Sequence, residues 1–469
     1  MGARLADSAR AQEPRIVTRT VDVIVVGAGA AGLTAAFAAA RAGARVALVE
    51  RSDGTDSNLA WSGGLIAAAG TPAQGAEGVE DSPKIWARDI AESTGGVLPA
   101  TLVEAVTRNA ADALATIEAA SGERFTLVRD VRFPGHSRPR LHELGGRAGT
   151  TVAALLMERA AQTRGLTLHM WSAVTDILID DGAARGVRVS RDGSEGEIRA
   201  KAVILASGGF GANAAMVRRH MPEMAEAFYI GAPSNTGDAF GWAEKLGATP
   251  AFMSGYQGHG HATLDGMGRL GAGVTSVGAM IVDRSGRRFV REDISPSALA
   301  GFVAAREGAL GIEIYSQAMH DAFLRFAPYR EAMERGGVQR FDDLASLCES
   351  FGIDLAGLAD TLARFNALAR GEKSDPLGRV DFGGEIAAPY WAVGVTGALV
   401  HTQGGLRVDG RARVLHDDGS AIEGLYAAGG CALGITGASP AGYLPGHGLG
   451  QSVALGALAG RDAAAWAVR

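Results

Sequence analysis

Residues 21–27 (VDVIVVG) form a run rich in apolar, β-branched residues, the pattern of a parallel strand buried on both faces. Residues 33–42 follow with helical composition, and 45–50 (RVALVE) return as a second buried strand. A third run of this kind, 202–209 (AVILASGG), ends in glycines. Before it, 186–190 and 195–199 flank turn residues at 191–193 and predict a small antiparallel excursion. From about Thr249 the pattern changes to Gly-rich loops mixed with amphipathic helices, for example over 342–351 and 355–369. Strand and turn composition resumes after Ala387, and 449–468 predicts a closing helix. The expected fold is therefore α/β, with a discontinuous first domain (21–250 and 387–469) interrupted by an α+β cap over 251–386.

Composition changes this picture little but excludes several classes. Among 469 residues, 67 are glycine with no collagen-like period, so they serve turns between strands and helices. The net charge of −6 is spread along the chain and offers no footprint for nucleic acid. The two cysteines, Cys348 and Cys431, are far apart, which disfavours iron–sulfur, c-type haem and disulfide frameworks, and no metal site is expected. Residues 1–20 are polar and mixed in charge, unlike a signal peptide, and are expected to be a disordered leader. Every long apolar run is broken by Gly or charge, so no membrane span is expected and a cytoplasmic enzyme is the default.

The first chemical motif is Gly27-x-Gly29-x-x-Gly32, placed between a strand and a helix, with Glu50 ending the next strand. In this setting Gly27 permits the sharp turn, Gly29 lets a pyrophosphate approach backbone N–H groups, and Gly32 lets helix and strand pack closely. The helix N-terminus favours phosphate, and Glu50 can accept hydrogen bonds from ribose hydroxyls. The motif supports a dinucleotide and leaves FAD and NAD both open.

Further stretches extend the reading. SNLAWSGGLIAAAGT (57–71), AVILASGGFGAN (202–213), NTGDAFGWAEKLGA (235–248), GRRFVRE (286–292), TLARFNALARGEKSDPLGR (361–379), LVHTQGGLRVD (399–409) and GLYAAGG (424–430) join the opening unit. Together they resemble the fumarate reductase/succinate dehydrogenase flavoprotein superfamily, and within it the soluble branch that includes 3-ketosteroid Δ1-dehydrogenases. The resemblance implies a Rossmann-type FAD-binding domain with a mobile cap and the active site between them. Carried over, it implies flavin contacts from Gly27, Gly29, Ala30, Ala31, Gly32, Glu50, Arg51, Ser57, Asn58, Ser62, Gly63, Gly64, Val174, Ser207, Gly208, Gly209, Asn213, Asp238, His401, Gly430 and Leu449. Ser57 stands where covalently flavinylated relatives carry a histidine, which implies non-covalent FAD.

The implied catalytic positions depart from fumarate chemistry. His259 falls where one substrate-binding histidine sits, and His320 where the proton-donating arginine sits. Pro296 replaces a relay arginine near Glu292, and Tyr443 stands where a second carboxylate-clamping arginine would be. Bidentate arginine suits carboxylates, so its loss disfavours fumarate or succinate. Tyr443-Leu444-Pro445-Gly446-His447-Gly448 instead resembles the Tyr-Pro-Gly-Pro-Gly of the ketosteroid enzymes, with one residue more. There a tyrosine hydroxyl and a backbone N–H, here from Gly446 or Gly448, polarise a ketone. Ser297 stands where the family's general-base tyrosine would be, leaving His320, His259 or Tyr315 as candidate bases. His447 is expected to line the pocket, and Arg287 and Arg288 to occupy a solvated hairpin with an internal salt bridge. The expected reaction is α,β-desaturation of a small-molecule ketone, cyclohexanone-like, oxocyclohexanecarboxylate-like or steroidal, with Arg269 or His259 receiving any carboxylate. The alternative is a flavin-dependent reductase or dehydrogenase of an unsaturated or tricarboxylic acid of urocanate, fumarate or tricarballylate type. The sequence leaves the electron acceptor open among oxygen, a quinone and an artificial dye.

Overall fold

The computed structural model describes residues 19–468 apart from 130–134, 147, 266, 267, 269, 271 and 272. Arg269 thus lies outside the described residues, as do residues 1–18 of the expected leader; its last two residues already belong to the first strand, Arg19–Val26.

That strand occupies the centre of a sheet because both its faces are apolar: Val23, Ile24 and Val25 have no solvent exposure. It pairs in parallel with Val46–Val49 on one side and Ser194–Leu205 on the other. Leu166–His169 extends the sheet beyond the former and Ala421–Ala427 beyond the latter, both in parallel. The antiparallel excursion is larger than the sequence suggests. Ala173–Asp180 pairs with Ala183–Arg191, which pairs with Ser194–Leu205 through a turn closed by Arg191 and Ser194. The runs read separately as 195–199 and 202–209 are one 12-residue strand whose first half faces the excursion and whose second half is core.

A second sheet is organised by Tyr390–Thr402, a 13-residue strand that follows the expected end of the cap at residue 386. It pairs antiparallel with Tyr256–Thr263, Leu310–Tyr315 and Val338–Phe341. The buried apolar residues form two clusters, one around the first sheet and one from Leu270 to Val395 around the second. Helix boundaries follow the caps. Leu355–Ala369 starts after Asp354, whose side chain accepts from Gly357 N–H at 2.7 Å. Leu344–Phe351 starts two residues later than the amphipathic pattern because Asp343 is its N-cap. Arg288 departs from the solvated reading: it is buried against Glu292 (2.6 Å) and Asp375 (3.0 Å), and Arg379 completes the cluster at 3.1 Å from Glu292.

The C-terminal helix, His447–Ala467, closes the first domain by lying on the helix Ala30–Arg41. Their contact is backbone on backbone. A Cβ on Gly456 would stand 2.4 Å from Ala31 O, and one on Gly460 2.2 Å from Ala35 O. The neighbours are carbonyls of a packed helix, which cannot turn aside as a side-chain tip would. Gly460→Leu is therefore expected to cost about 3 kcal/mol or more, at or beyond the upper end of overpacking effects. Thermal unfolding followed by circular dichroism measures it, with Ala459→Gly as the cavity-making control.

Candidate active site

Glycine-bearing segments distant in sequence meet at the carboxyl ends of the first sheet, Gly27 against Ala206, Gly429 against Ala31 and Gly430 against Gly209, the position where open α/β sheets bind ligands. In the first, Gly27 has φ +103° and its missing Cβ would stand 2.5 Å from Ala206 O; the Cβ of a residue 32 would meet Gly27 O at 1.8 Å. Protein packing alone therefore requires glycine at 27 and 32. Gly29 differs. Its φ of −76° is ordinary, and a Cβ there would have only Ser57 Cβ nearby, at 3.8 Å. Nothing among the described residues demands a glycine at 29, so the open space suits a group approaching the backbone from outside. Gly29 also caps the helix Ala30–Arg41 with no side-chain hydrogen bond, so the first-turn amides, including those of Ala30 and Ala31, have no side-chain cap. These features fit a dinucleotide pyrophosphate.

Glu50 is buried and holds the loop together. Its Oε2 accepts from Ala28 N–H (2.8 Å), and Oε1 from Ser52 N–H and Ser52 Oγ (both 2.8 Å). A carboxylate has further lone pairs for ribose hydroxyls. Arg51 reaches across to Asp238 at 2.6 Å, joining this loop to the 235–248 motif. Asn58 Oδ1 accepts from Ala232 N–H (2.9 Å) and Asn235 Nδ2 (3.0 Å), while Asn235 Oδ1 occupies the space a Cβ on Gly208 would need. Ser57 caps the short helix Asn58–Trp61, and Ser62 Oγ bridges Leu59 O and Gly64 N–H. Exposed Gly63 follows Ser62 in this turn. Asn213 caps Ala214–His220 and donates to Thr236 O at 2.9 Å. Gly209 and Gly430 are in backbone contact, and Ser207 Oγ lies 3.5 Å from Cys431 Sγ. Burial pushes that thiol up to about 11, so it stays protonated. Val174 is buried in strand Ala173–Asp180, which begins just after Ser172, whose N–H donates to Glu50 O at 2.9 Å.

The catalytic candidates divide into two places. Half-buried His401 and Tyr443 meet edge to face, ring centroids 5.8 Å apart. A Cβ on Gly448 would fall 2.9 Å from His401 Nε2, so the imidazole lies against this glycine. Gly446 (φ +77°) caps the closing helix, two residues earlier than the apolar pattern suggests, and its carbonyl accepts from Gly450 N–H (2.9 Å) and Ala67 N–H (3.3 Å). His447 N–H bonds Leu444 O at 3.2 Å, which leaves Gly448 and Leu449 as the helix-start amides outside these backbone bonds. His447 itself does not line the pocket. It is wholly buried, its Nε2 accepts from Trp86 Nε1–H at 2.9 Å, and desolvation holds its pKa well below the usual histidine range.

His320 and Tyr315 lie elsewhere, in the core of the second unit. His320 is stacked on Trp391 (3.6 Å between centroids), and its Nδ1 meets Tyr329 Oη at 2.7 Å, which in turn meets Tyr315 Oη at 2.8 Å. Trp391 and His401 belong to one extended strand, ten residues apart, so at about 3.3 Å per residue they are ~30 Å from each other. The structure thus does not bring His320 or Tyr315 to Tyr443, because the Tyr390–Thr402 strand holds them at its opposite end. His259 is nearer: it pairs with Ala398, three residues from His401 on the same strand. His261, which the Gly-rich sequence suggests lies in a solvated turn, is instead wholly buried in a strand, where its Nδ1 meets Oε1 of Glu313, a residue with no signal of its own in the sequence. The HGH spacing was visible, but the partner carboxylate lies 52 residues away and only the sheet joins them.

Gly29→Ala should leave the apoprotein's stability within about 1 kcal/mol, the cost of an altered N-cap. Flavin retention should fall roughly tenfold or more, the loss of one charge-assisted backbone contact. The ratio of flavin to protein absorbance after gel filtration measures this.

Comparison with known proteins places this geometry. The FAD binding domain family matches residues 22–448. A fumarate reductase (cytochrome) of Shewanella frigidimarina is 30% identical over 452 residues, covering 95% of this chain and 77% of that protein. A 3-oxosteroid 1-dehydrogenase of Mycolicibacterium smegmatis is 26% identical over 558 residues, covering 95% and 97%. Among solved structures, the open conformation of a flavocytochrome c3 fumarate reductase superposes with a TM-score of 0.83 at 27% identity, covering 100% of this chain and 82% of that one. No helix among the described residues is long and apolar enough to cross a membrane. The chain belongs to the FAD binding domain family and is an FAD-dependent oxidoreductase of the fumarate reductase/ketosteroid dehydrogenase group.

Proposed function

We propose that the protein desaturates a small ketone, a cyclic one such as a cyclohexanone, an oxocyclohexanecarboxylate or a ketosteroid, with FAD held non-covalently. The observation that carries this reading is the meeting of Tyr443, His401 and Gly448 at the start of the closing helix. A hydroxyl and helix-start amides in one place favour an oxygen that gains negative charge during the reaction, as a ketone oxygen does when its α-proton leaves. A neutral phenol at 443 does not offset a desolvated carboxylate as a guanidinium does, which favours a ketone over a dicarboxylate. Ser57 at the start of the Asn58–Trp61 helix offers no ring nitrogen for a covalent flavin link, which supports non-covalent binding.

Bound FAD supplies the two-electron acceptor for the hydrogen leaving the β-carbon. The protein's share is to hold the carbonyl, stabilise the developing enolate oxygen through Tyr443 Oη–H and the Gly448 N–H, and receive the α-proton. His401 sets the position of Tyr443 by edge-to-face contact and fills the space beside Gly448. A second reading, reduction of an unsaturated or tricarboxylic acid, draws on His259, mostly buried at 8% exposure on the strand that pairs with His401's strand. Under it, histidines would hold a carboxylate in place of the missing arginines.

Anaerobic mixing separates the two. The oxidised enzyme should lose its visible flavin band on addition of a cyclic ketone, and the reduced enzyme should not be reoxidised by fumarate, urocanate or an unsaturated tricarboxylate. Reoxidation by an acid, with no ketone bleaching the flavin, overturns the proposal. Tyr443→Phe should lower kcat/KM for the ketone by about 10²-fold or more, the usual effect of removing one oxyanion donor, without releasing FAD. Stopped-flow reduction of the flavin measures it.

A further inference from the structure

His401 meets Tyr443 at the proposed ketone site, and the nitrogen that carries its proton decides whether it can serve an oxygen there. We propose that Gln403 is a positioning residue that fixes His401 as the Nε2–H tautomer, so that the imidazole joins Tyr443 and the Gly448 N–H as a donor. The inference rests on the ketone reading.

The backbone of Gln403 is held on two sides. Its N–H donates to Gly255 O at 2.8 Å, and its carbonyl accepts from Gly434 N–H at 2.7 Å. The first of these bonds carries the pairing of Tyr390–Thr402 with Tyr256–Thr263 one residue beyond each strand. Alternation along the strand then puts the side chain of residue 403 on the face of residue 401. That side chain is buried where the strand end, the loop at 434 and the closing helix meet. A Cβ on Gly434 would stand 2.2 Å from Gln403 Oε1, and one on Gly448 3.8 Å from Gln403 Nε2. The amide oxygen thus faces Gly434, and the amide nitrogen faces His401 and the helix start.

His401 Nδ1 has the Gln403 amide nitrogen at 3.1 Å and Thr402 O at 3.3 Å. The two contacts require opposite protonation. An amide NH2 only donates, so Nδ1 must hold a lone pair; a carbonyl only accepts, so Nδ1 would need the proton. The amide is the nearer, and an N–H aimed at Nδ1 leaves no room for a second hydrogen between them. The neutral ring therefore carries its proton on Nε2. This atom lies on the edge of the ring turned to the closing helix, since a Cβ on Gly448 would fall 2.9 Å from both Nε2 and Cε1. The N–H is thereby placed beside the helix-start amides, where the enolate oxygen is to be held. Such a donor gains strength as negative charge develops, so it lowers the barrier more than it tightens binding of the ketone.

Two-bond proton–nitrogen correlation spectra of the FAD-loaded protein with isotope-labelled histidine read the tautomer directly, His401 being identified by its absence from His401→Gln. Wild type should show Nε2 protonated and Nδ1 bare. Gln403→Glu, whose carboxylate accepts, should reverse the pattern. It should also slow reduction of the flavin by a saturating cyclic ketone by about tenfold, the worth of one hydrogen bond made in the transition state, with a smaller change in KM. A glutamine at 401 has no tautomers, so in the His401→Gln background the same Gln403→Glu change should cost less than about threefold. Nδ1 protonated in wild type, a tautomer unmoved by Gln403→Glu, or an equal loss of rate in both backgrounds overturns the assignment and leaves the ketone reading intact. If Gln403→Glu does not hold FAD, Gln403→Met replaces it. Without the amide, Nδ1 should then take a proton toward Thr402 O, and retention of the Nε2–H form alone overturns the assignment. A wild type whose flavin no ketone bleaches removes the proposed function, and with it the oxygen this donor would serve.

Discussion

The site depends on the contact between the closing helix and the helix that follows the first strand. Gly456 and Gly460 let their backbones touch at Ala31 and Ala35, and that closeness carries the C-terminal segment back over a motif more than 400 residues earlier in the chain. Tyr443, Gly446 and Gly448 sit at the start of this helix, so its seating sets where the polarising group stands relative to the Gly27–Gly32 loop. Gly450, packed on Ala67 O, ties the same turn to the 62–67 segment. Backbone packing of this kind tolerates no side chain and little drift, as a site of ångström precision requires.

The second sheet meets this frame through one long strand. Tyr390–Thr402 ends at His401 beside Tyr443 and carries, at its far end, the His320–Tyr329–Tyr315 cluster. One rigid element thus joins a polar site to a cap core. It also explains why residues of similar chemistry have different surroundings: His320 is held by stacking and a phenol, whereas His261 is held by a carboxylate and meets the His259 ring. The buried Arg288–Glu292–Asp375–Arg379 cluster fixes the cap's own loops, because each charge is compensated only while all remain in place.

Much of the α/β framework was legible in the sequence because its signals are local. Apolar runs at 21–27 and 45–50 give parallel strands, glycines at 27 and 32 are required by backbone contacts, and Asp354 marks the start of Leu355–Ala369. The misreadings were equally physical. The 195–199 and 202–209 runs are one strand because its polar half faces an excursion and its apolar half the core, a change of surroundings that periodicity reports as two elements. His320 matched by ungapped counting, which cannot register that the strand beside it points its other end at the site. The His261–Glu313 pair was hidden because neither residue stands out alone and only sheet pairing between Leu310–Tyr315 and Tyr390–Thr402 brings Glu313 inward.

Under the proposed function, electrons enter the flavin from the saturated carbon β to a ketone. Its most direct measurement is an anaerobic single turnover of excess oxidised enzyme with a cyclic ketone, with the product identified by mass spectrometry. The account predicts an enone lighter by two hydrogens, formed in equal amount to the flavin reduced. Unchanged ketone with the flavin still oxidised, across monocyclic and steroidal ketones alike, would contradict it.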